Sequence, residues 1–505
     1  MIGLVSDAVH IVPLEAIKIA VPIGIGLVSA AYLTMKVASS SNPGKPVPTV
    51  SLRPGDSNHD NEYQDDQDAF LQRCGEECGS TFNILLLGKT LTVVSGAQIR
   101  EVFMHPDFSA LDAIDDFMSM SAFFDSVRKN MISPNLSLLT PSIVEQLEKN
   151  LMKELGTCPA EEGGKLVEKP MKVLQEMIAN AMATVFVGPE ITKSRKVIDT
   201  FINATADFGK MLGNGKLRRA SVWKTIVQRT QYKILNPLQA HVQVLVEAAT
   251  PVILERRRLE AEAAENGVEY ERPKDILQRL LDSFDKYGFV DLEDVCGHLL
   301  ILILASVHTT TDSSTTSLYY MAAYPHYMDT LYEEQQQVLD IIQREREQTR
   351  QELVKKGDPI SEDLDPSHDR DLSAAAIKKM VHMDSFVREM FRFRTERLTL
   401  IHKARKNVTL SNGVVIMKGD SAVINMRSAH QGPEQGDDVT EFKPWRFVGK
   451  AKGATKAGAD FLTFGMGKHA CPGRFLAIQE IKTVGVLMVS KYSKIEIQDP
   501  SKTME

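Results

Sequence analysis

Cysteine is scarce in this sequence. The 505 residues contain five cysteines, namely Cys74, Cys78, Cys158, Cys296 and Cys471. An odd and sparsely spaced set does not form a disulfide framework, so a reducing compartment fits the main domain. Tracts of lysine or arginine are also absent and the net charge is −7, which together predict no nucleic-acid partner. Apolar and charged residues occur at ordinary levels, so the chain can bury a large core.

Long apolar runs are confined to the N-terminus. Residues Ile19 to Met35 carry no charge and, with the residues just before them, approach the ~20 needed to span a bilayer. Lys36 stands where an interfacial anchor belongs, and the prolines of Ser39 to Pro48 form a hinge that no helix can cross. We therefore predict a membrane anchor and hinge over residues 1–48 and one catalytic domain over residues 49–505. A cleaved secretory signal is the alternative, whereas the lysines after the span favour a cytosolic catalytic domain.

Hydrophobic periodicity predicts a mainly α protein with a small β part. Asn83 to Val94 is typical of a hairpin, and Asp291 to Ala323 of one long helix that ends before a proline. A shorter helix is predicted over Val252 to Ala264, with Thr250 as N-cap and Pro251 at its first position. Further strands are predicted at Asn407–Leu410, Val414–Met417 and Ala422–Asn425.

The stretch Phe464 to Gly473 reads FGMGKHACPG and is the most informative in the chain. A thiolate that binds haem iron must approach along the ring normal, so its loop has to pass close beneath a flat macrocycle. Gly465 and the later glycines give the loop backbone freedom and keep side chains out of the approach. Cys471 precedes a proline and an apolar helix, whose dipole and free amides would stabilise a thiolate. His469 and Arg474 add positive charge for haem propionates.

Two other interpretations of Cys471 are a buried structural cysteine and a catalytic thiol beside His469. The second lacks any orienting partner in the sequence. The six letters Phe, Gly, Gly, His, Cys and Gly at these spacings arise by chance in under roughly one in 10^5 chains of this length, which disfavours both. At these residues the chain resembles the cytochrome P-450 family of haem-thiolate monooxygenases, because FGMGKHACPG matches the cysteine-loop signature of that family.

The resemblance implies a cytochrome P-450 fold with an N-terminal membrane anchor helix. It also implies haem b (iron protoporphyrin IX) as the cofactor, with Cys471 as its axial thiolate and metal ligand. Phe464 would pack near the sulfur, and Gly465 and His469 would belong to the haem-binding loop.

An acid and an arginine lie three residues apart at Glu389 and Arg392, on one face of a helix. Alone, such a pair is typical of a surface salt bridge that contributes little. Strand patterns and then Phe442 to Phe447 follow it, in an order that resembles the family arrangement. The resemblance implies that Glu389, Arg392 and Arg446 form a buried structural network that holds the cysteine loop.

The predicted long helix carries Ala305 to Thr311, which reads ASVHTTT. Threonines on a helix usually bond back to carbonyls four residues earlier. By resemblance, this segment would lie over the distal haem face, where Thr309 donates a hydrogen bond to bound dioxygen and steers protons to it. Ser306 replaces the usual glycine, and His308 replaces the usual acid. Histidine can still relay protons near neutral pH, with a satisfied polar residue as the alternative.

Partner and substrate contacts are predicted around these motifs. The family's Trp-x-x-x-Arg propionate clamp is missing, and its suggested substitutes are Arg128, Lys129 and Asn130. A basic cluster near the cysteine loop would dock an acidic partner by charge complementarity, unless it is merely solvated; it comprises Lys450, Lys452, Lys456, Lys468, Arg474 and Lys482. An apolar pocket for a hydrophobic small molecule is predicted, unless its residues are ordinary core; they are Phe117, Met118, Met120, Phe123, Phe124 and Leu300 to Leu304.

The activity implied by the resemblance is a monooxygenase, as in fungal microsomal members that act on terpenoids, steroids and other secondary metabolites. Electrons would come from NADPH through NADPH–cytochrome P-450 reductase, with cytochrome b5 as an accessory donor, since no G-x-G-x-x-G follows a predicted strand. Location in the endoplasmic reticulum membrane is then expected. The alternatives are a haem-thiolate isomerase or peroxide-dependent enzyme, which His308 suggests and Thr309 argues against, and a non-catalytic haem-binding protein.

Overall fold

The computed structural model describes residues 44–86, 88–113, 136–156, 164–211, 237–361, 364–467 and 470–497. Helices dominate these ranges, as the sequence predicts. In chain order the α-helices are α1 Asp60–Asp65, α2 Gln67–Cys78, α3 Gln98–Met104, α4 Leu136–Glu154, α5 Pro170–Val187, α6 Arg195–Met211, α7 Pro237–Glu265, α8 Ile276–Asp282, α9 Phe284–Tyr287, α10 Leu292–Ala323, α11 His326–Lys356, α12 Ala374–Lys379, α13 Val381–Phe393, α14 Met426–His430 and α15 Arg474–Lys491.

The strands form two small sheets. They are β1 Lys45–Pro46, β2 Thr81–Leu86, β3 Lys89–Val94, β4 Phe108–Ser109, β5 Leu398–Ala404, β6 Val408–Thr409, β7 Val414–Ile416 and β8 Ser421–Asn425. One sheet has the order β1-β7-β6 and the other β2-β3-β8-β5-β4. Strands β2 and β3 pair antiparallel from Thr81–Val94 to Leu86–Lys89, which confirms the predicted hairpin. The three later strand predictions are also confirmed, whereas β5 was not predicted.

Helix α10 lies at the centre of the helical part. It begins after Asp291, whose side chain accepts a hydrogen bond from Asp294 N–H at 2.9 Å, and it ends at Ala323, as predicted. It packs against α5, α6, α7, α13 and α15. Within the described ranges it is the one helix long and apolar enough to cross a membrane. Leu300, Leu302 and Ile303 are at most 3% exposed and belong to the hydrophobic core, as in the alternative that these residues are ordinary core; their place in a substrate pocket stays a prediction.

Helix α7 corrects a second prediction, since it begins at Pro237 and not near Val252. Thr250 is not an N-cap, because its Oγ1 donates to the Val246 carbonyl at 2.7 Å within the continuous helix. Pro251 therefore lies in the helix interior, where it removes one backbone donor. Burial explains why the helix persists through it: Leu245 upstream is 1% exposed and packs into the core.

Helix α15 follows the cysteine loop and packs against α10, α11 and α13. It begins at Arg474, with Gly473 as its N-cap residue. Pro472 therefore lies in a turn before the helix. The cysteine loop is thus placed directly at the start of a core helix.

Candidate active site

Backbone hydrogen bonds close the cysteine loop. The N–H of Cys471 donates to the Phe464 carbonyl at 2.7 Å, and the N–H of Gly465 donates to the Leu462 carbonyl at 2.7 Å. Gly465 and Gly467 have φ of 68° and 61°, a left-handed conformation that favours glycine, as the sequence predicts for this loop. The Phe464 ring lies edge-on to Phe391 of α13, with centroids 5.8 Å apart. The loop backbone is therefore fixed at both ends of the motif.

The thiol of Cys471 is chemically distinct from a buried structural cysteine. Cys471 is exposed, yet enough protein surrounds its sulfur that burial raises the pKa of the thiol, while the Gly473 N–H and the Arg474 charge act in the opposite direction. The predicted stabilisation of a thiolate by the helix N-terminus is thus only partial, because α15 begins three residues later. A coordinated metal deprotonates a thiol outright. An exposed sulfur on a rigid loop fits an axial ligand to haem iron.

A buried ionic network is centred on α13, the helix whose Phe391 contacts Phe464 of this loop. Arg392 donates to Glu389 through Nε at 2.7 Å and through Nη2 at 2.8 Å, and both side chains are 0% exposed. Arg446 Nε lies 3.0 Å from Glu389 Oε1, and the N–H of Lys443 donates to the same oxygen at 2.9 Å. This arrangement confirms the predicted network of two arginines on one carboxylate. Removing one partner of a bidentate, fully buried pair of this kind would leave an uncompensated buried charge, which is strongly destabilising.

The ASVHTTT segment presents two different faces. Ala305, His308 and Thr309 are exposed, whereas Val307, Thr310 and Thr311 are buried. Since the exposed residues lie three and four positions apart, they form one stripe along α10. Thr309 Oγ1 donates to the Ala305 carbonyl at 2.7 Å, the back-bonding usual for helical threonine. The stripe thus places His308 and Thr309 side by side at an accessible surface of a core helix.

Sequence reasoning missed a buried acid on α15. Glu480 is 1% exposed, and Thr310 of α10 donates to its Oε2 at 3.3 Å. Burial raises the pKa of Glu480 to about 8, and the bond from Thr310 acts in the opposite direction. Lys482, two residues on, is 3% exposed, and burial lowers its pKa. The sequence did carry a signal for buried charges, because Glu480 and Lys482 interrupt a largely apolar helix.

Replacing Glu480 by glutamine is expected to raise stability at alkaline pH. The folded carboxyl keeps its proton up to about pH 8, whereas the unfolded one ionises near 4.5. The contribution of the Glu480 carboxyl to the free energy of unfolding is therefore complete below pH 4.5. It falls by about 1.4 kcal/mol per pH unit between pH 4.5 and pH 8. Denaturant unfolding across this window should show that the free energy of unfolding of Glu480→Gln increases relative to that of the wild type as pH rises. The control is Glu148→Gln, at a partly exposed carboxylate that pairs with Lys491; this variant should keep the wild-type slope. A wild-type slope for Glu480→Gln would contradict the assignment.

The predicted basic cluster is smaller in the structure than in the sequence. Lys482 does not belong to it, because its Nζ is buried and donates to the Met380 carbonyl at 3.1 Å. Lys452 is paired with Asp460 at 2.6 Å, and Arg474 Nη1 donates to the Cys471 carbonyl at 2.8 Å. Charge complementarity at this face therefore depends on fewer free cations than the sequence suggests.

Several predicted residues lie outside the described part of the chain. Among them are His469 and Lys468 of the cysteine loop, the suggested propionate contacts Arg128, Lys129 and Asn130, the pocket candidates Phe117, Met118, Met120, Phe123 and Phe124, and residues 1–43 of the predicted anchor. Their roles stay predictions.

Comparisons with known proteins agree with this geometry. A family model described as Cytochrome P-450 matches residues 59–355 and 360–505, which include α10, the Glu389 network and the cysteine loop. Cytochrome P-450 monooxygenase 151 of Postia placenta is 25% identical over 465 residues, covering 86% of this chain and 84% of its own length. Cytochrome P-450 monooxygenase 103 of the same fungus is 26% identical, with coverages of 80% and 78%. Cytochrome P-450 monooxygenase paxP of Penicillium paxilli is 25% identical, with coverages of 71% and 64%. The chain therefore belongs to the cytochrome P-450 family and is an oxidoreductase of the monooxygenase class.

Proposed function

We propose that this chain binds haem b through Cys471 and inserts one oxygen atom of O2 into a hydrophobic small molecule, such as a terpenoid, a steroid or another secondary metabolite. Its electrons come from NADPH through NADPH–cytochrome P-450 reductase, with cytochrome b5 as an accessory donor. An N-terminal anchor holds it at the endoplasmic reticulum membrane. The observation that carries the proposal is the exposed Cys471 on a loop fixed by its own hydrogen bonds, beside the buried Glu389 network.

Different residues of this chain bind the haem and transfer protons. Cys471 would hold the haem through its thiolate, and the bound haem would supply reductive activation of O2 with electron density from that sulfur. Phe464 and Gly465 shape the loop around the sulfur, and His469 contributes positive charge. On α10, Thr309 holds a proton at its Oγ1 and passes it to the reacting oxygen. In the structure this hydroxyl donates to the Ala305 carbonyl. His308, exposed on the same stripe, relays protons between solvent and Thr309.

Spectroscopy and turnover test this proposal in order. Purified protein that is reduced under carbon monoxide should show the red-shifted Soret band of a thiolate-ligated haem. With the reductase and a library of lipophilic compounds, it should then consume NADPH and release hydroxylated products. Turnover with peroxide alone, and none with reductase, would instead support the peroxide-dependent alternative. Protein without bound haem would exclude the proposed function altogether.

Replacing Thr309 by alanine should uncouple the reaction. We expect the red-shifted band to persist, because Thr309 is remote in sequence from the loop of Cys471. The ratio of product to NADPH should fall by about tenfold or more, since positioned proton transfer contributes about 10²–10⁴-fold, and peroxide should accumulate. The matched control is Ser313→Ala, whose hydroxyl bonds back to the Thr309 carbonyl at 2.8 Å one turn further on. Unaltered coupling in Thr309→Ala would remove this residue from the proposed role.

A further inference from the structure

The chain just before the cysteine loop is packed against two buried polar side chains. The Phe461 ring is 0% exposed. His430 stacks on it with centroids 5.3 Å apart and planes 14° apart. The guanidinium carbon of Arg388 lies 3.9 Å from the centroid of the same ring. His430 and Arg388 are themselves at most 1% exposed, so Phe461 is fixed by a fully buried cluster.

Hydrogen bonds lead from this cluster to the cysteine. The N–H of Leu462 donates to His430 Nε2 at 2.7 Å. The Leu462 carbonyl then accepts from Gly465 at 2.7 Å, and the Phe464 carbonyl accepts from Cys471 at 2.7 Å. His430 therefore stands at the start of a short series of backbone bonds that ends at the thiol-bearing residue.

The protonation state of His430 follows from its partner. A backbone N–H can only donate, so Nε2 must be the unprotonated nitrogen that accepts from Leu462. Burial, together with the positive charges of Arg388 and Arg392, lowers the pKa of His430 to about 3 and keeps the ring neutral. The His430 carbonyl also accepts from Arg392 Nη1 at 3.3 Å. His430 thus joins the Glu389 network to the cysteine loop.

Arg388 ties the same place to the preceding segment. Its Nη1 donates to the carbonyls of Gly453 and Lys456 at 2.8 and 3.0 Å. Its nearest carboxylate oxygen, on Asp460, is 3.8 Å away, so its main contacts are carbonyls and rings and not an ion pair. The planar guanidinium is suited to such contacts, which a lysine cannot reproduce.

We propose that His430 and Arg388 are positioning residues for the iron ligand: His430 holds the amide of Leu462, Arg388 holds the ring of Phe461, and together they set where Cys471 presents its sulfur. The inference rests on the proposed ligation by Cys471. It assigns these two side chains a role that the Glu389 network cannot fill, since neither Glu389 nor Arg446 has a hydrogen bond to residues 461–471 within the described ranges.

Two substitutions at His430 separate its functions. His430→Phe keeps a ring beside Phe461 but leaves the buried Leu462 N–H without an acceptor. His430→Gln loses the ring but keeps an acceptor at similar reach. In holoenzyme reduced under carbon monoxide, His430→Phe should lose the red-shifted Soret band about tenfold faster than wild type, because an unsatisfied buried amide is costly. His430→Gln should restore most of the wild-type lifetime.

The matched control is His402→Phe, because His402 is also 1% exposed but lies on β5. Thermal unfolding of all variants is measured in parallel. Equal decay of the band in His430→Phe and His402→Phe, or no rescue by glutamine, would overturn the role of His430. Arg388→Lys keeps the charge but not the planar contact, and should also lose the band faster; unchanged decay would overturn the role of Arg388. A wild-type protein without the band would instead defeat the proposed function.

Discussion

Replacing Cys471 by alanine is expected to remove both the red-shifted Soret band and all monooxygenase turnover. Cys471 carries the one side chain of the cysteine loop that becomes a soft anionic ligand, since the sequence FGMGKHACPG otherwise offers only the thioether of Met466 and the nitrogens of Lys468 and His469 as donors. Carbon monoxide difference spectra of the reduced protein measure the first effect. Product formation with NADPH and reductase measures the second.

A matched control distinguishes loss of ligation from loss of a cysteine. Cys78 is free and partly exposed at the end of α2, so Cys78→Ala removes a thiol far from the cysteine loop in sequence. This variant should keep the wild-type band. Far-UV circular dichroism of Cys471→Ala should show that the helices persist. A red-shifted band in Cys471→Ala would show that another residue is the ligand and would overturn the proposed site.

Replacing Glu389 by glutamine is expected to destabilise the protein by about 3–5 kcal/mol, because the buried Arg392 then loses its carboxylate partner and Arg446 keeps only its pair with Asp438. Arg392 is 0% exposed and Arg446 is 5% exposed, so neither can turn to solvent without unfolding its surroundings. The loss should appear as a lower free energy of unfolding in denaturant. It should also appear as a smaller fraction of protein with the red-shifted band, since Arg392 donates to the carbonyl of His430, which in turn accepts from the Leu462 N–H just before the loop.

The control for this prediction is Glu345→Gln. Glu345 pairs with Lys379 at 2.9 Å, but the two side chains are 51% and 41% exposed, so this pair should contribute under about 1 kcal/mol. Both variants replace a paired glutamate by glutamine, so a difference in their stability reports the effect of burial. If the two variants lose equal stability, the Glu389 network is not the structural element that its burial suggests.

The parts of the site that the sequence predicted are those with strict local requirements. Gly465 and Gly467 adopt left-handed φ values, which other residues rarely do, so their spacing around Cys471 is visible in the letters alone. The bounds of α10 were predicted because an N-cap aspartate and a following proline mark its ends. Glu389 and Arg392 could be paired from their i, i+3 spacing, although only the resemblance implied that the pair is buried.

Other features depended on contacts between distant parts of the chain. A proline after a threonine can stand in the first turn of a helix or in its interior. Pro251 lies in the interior, because the helix is stabilised upstream by buried residues such as Leu245. Lys482 was counted with an exposed basic cluster, but α15 turns it into the core. Strand β5 was missed, because its burial is uneven and Leu400 has a positive φ of 52° at a register shift.

The sequence by itself determined the left-handed glycines of the ligand loop and the bounds of the long helix, because each depends on local backbone geometry, and the resemblance carried by the loop implied the bracing residues Glu389, Arg392 and Arg446. Only the tertiary structure decided which charges are buried. Glu480, Arg388 and His430 resemble ordinary polar residues in the sequence, and their altered pKa values arise from desolvation by helices and loops far away in the chain. Desolvation is a property of packing, and for that reason the links from the Glu389 network to Cys471 became visible only in the folded protein.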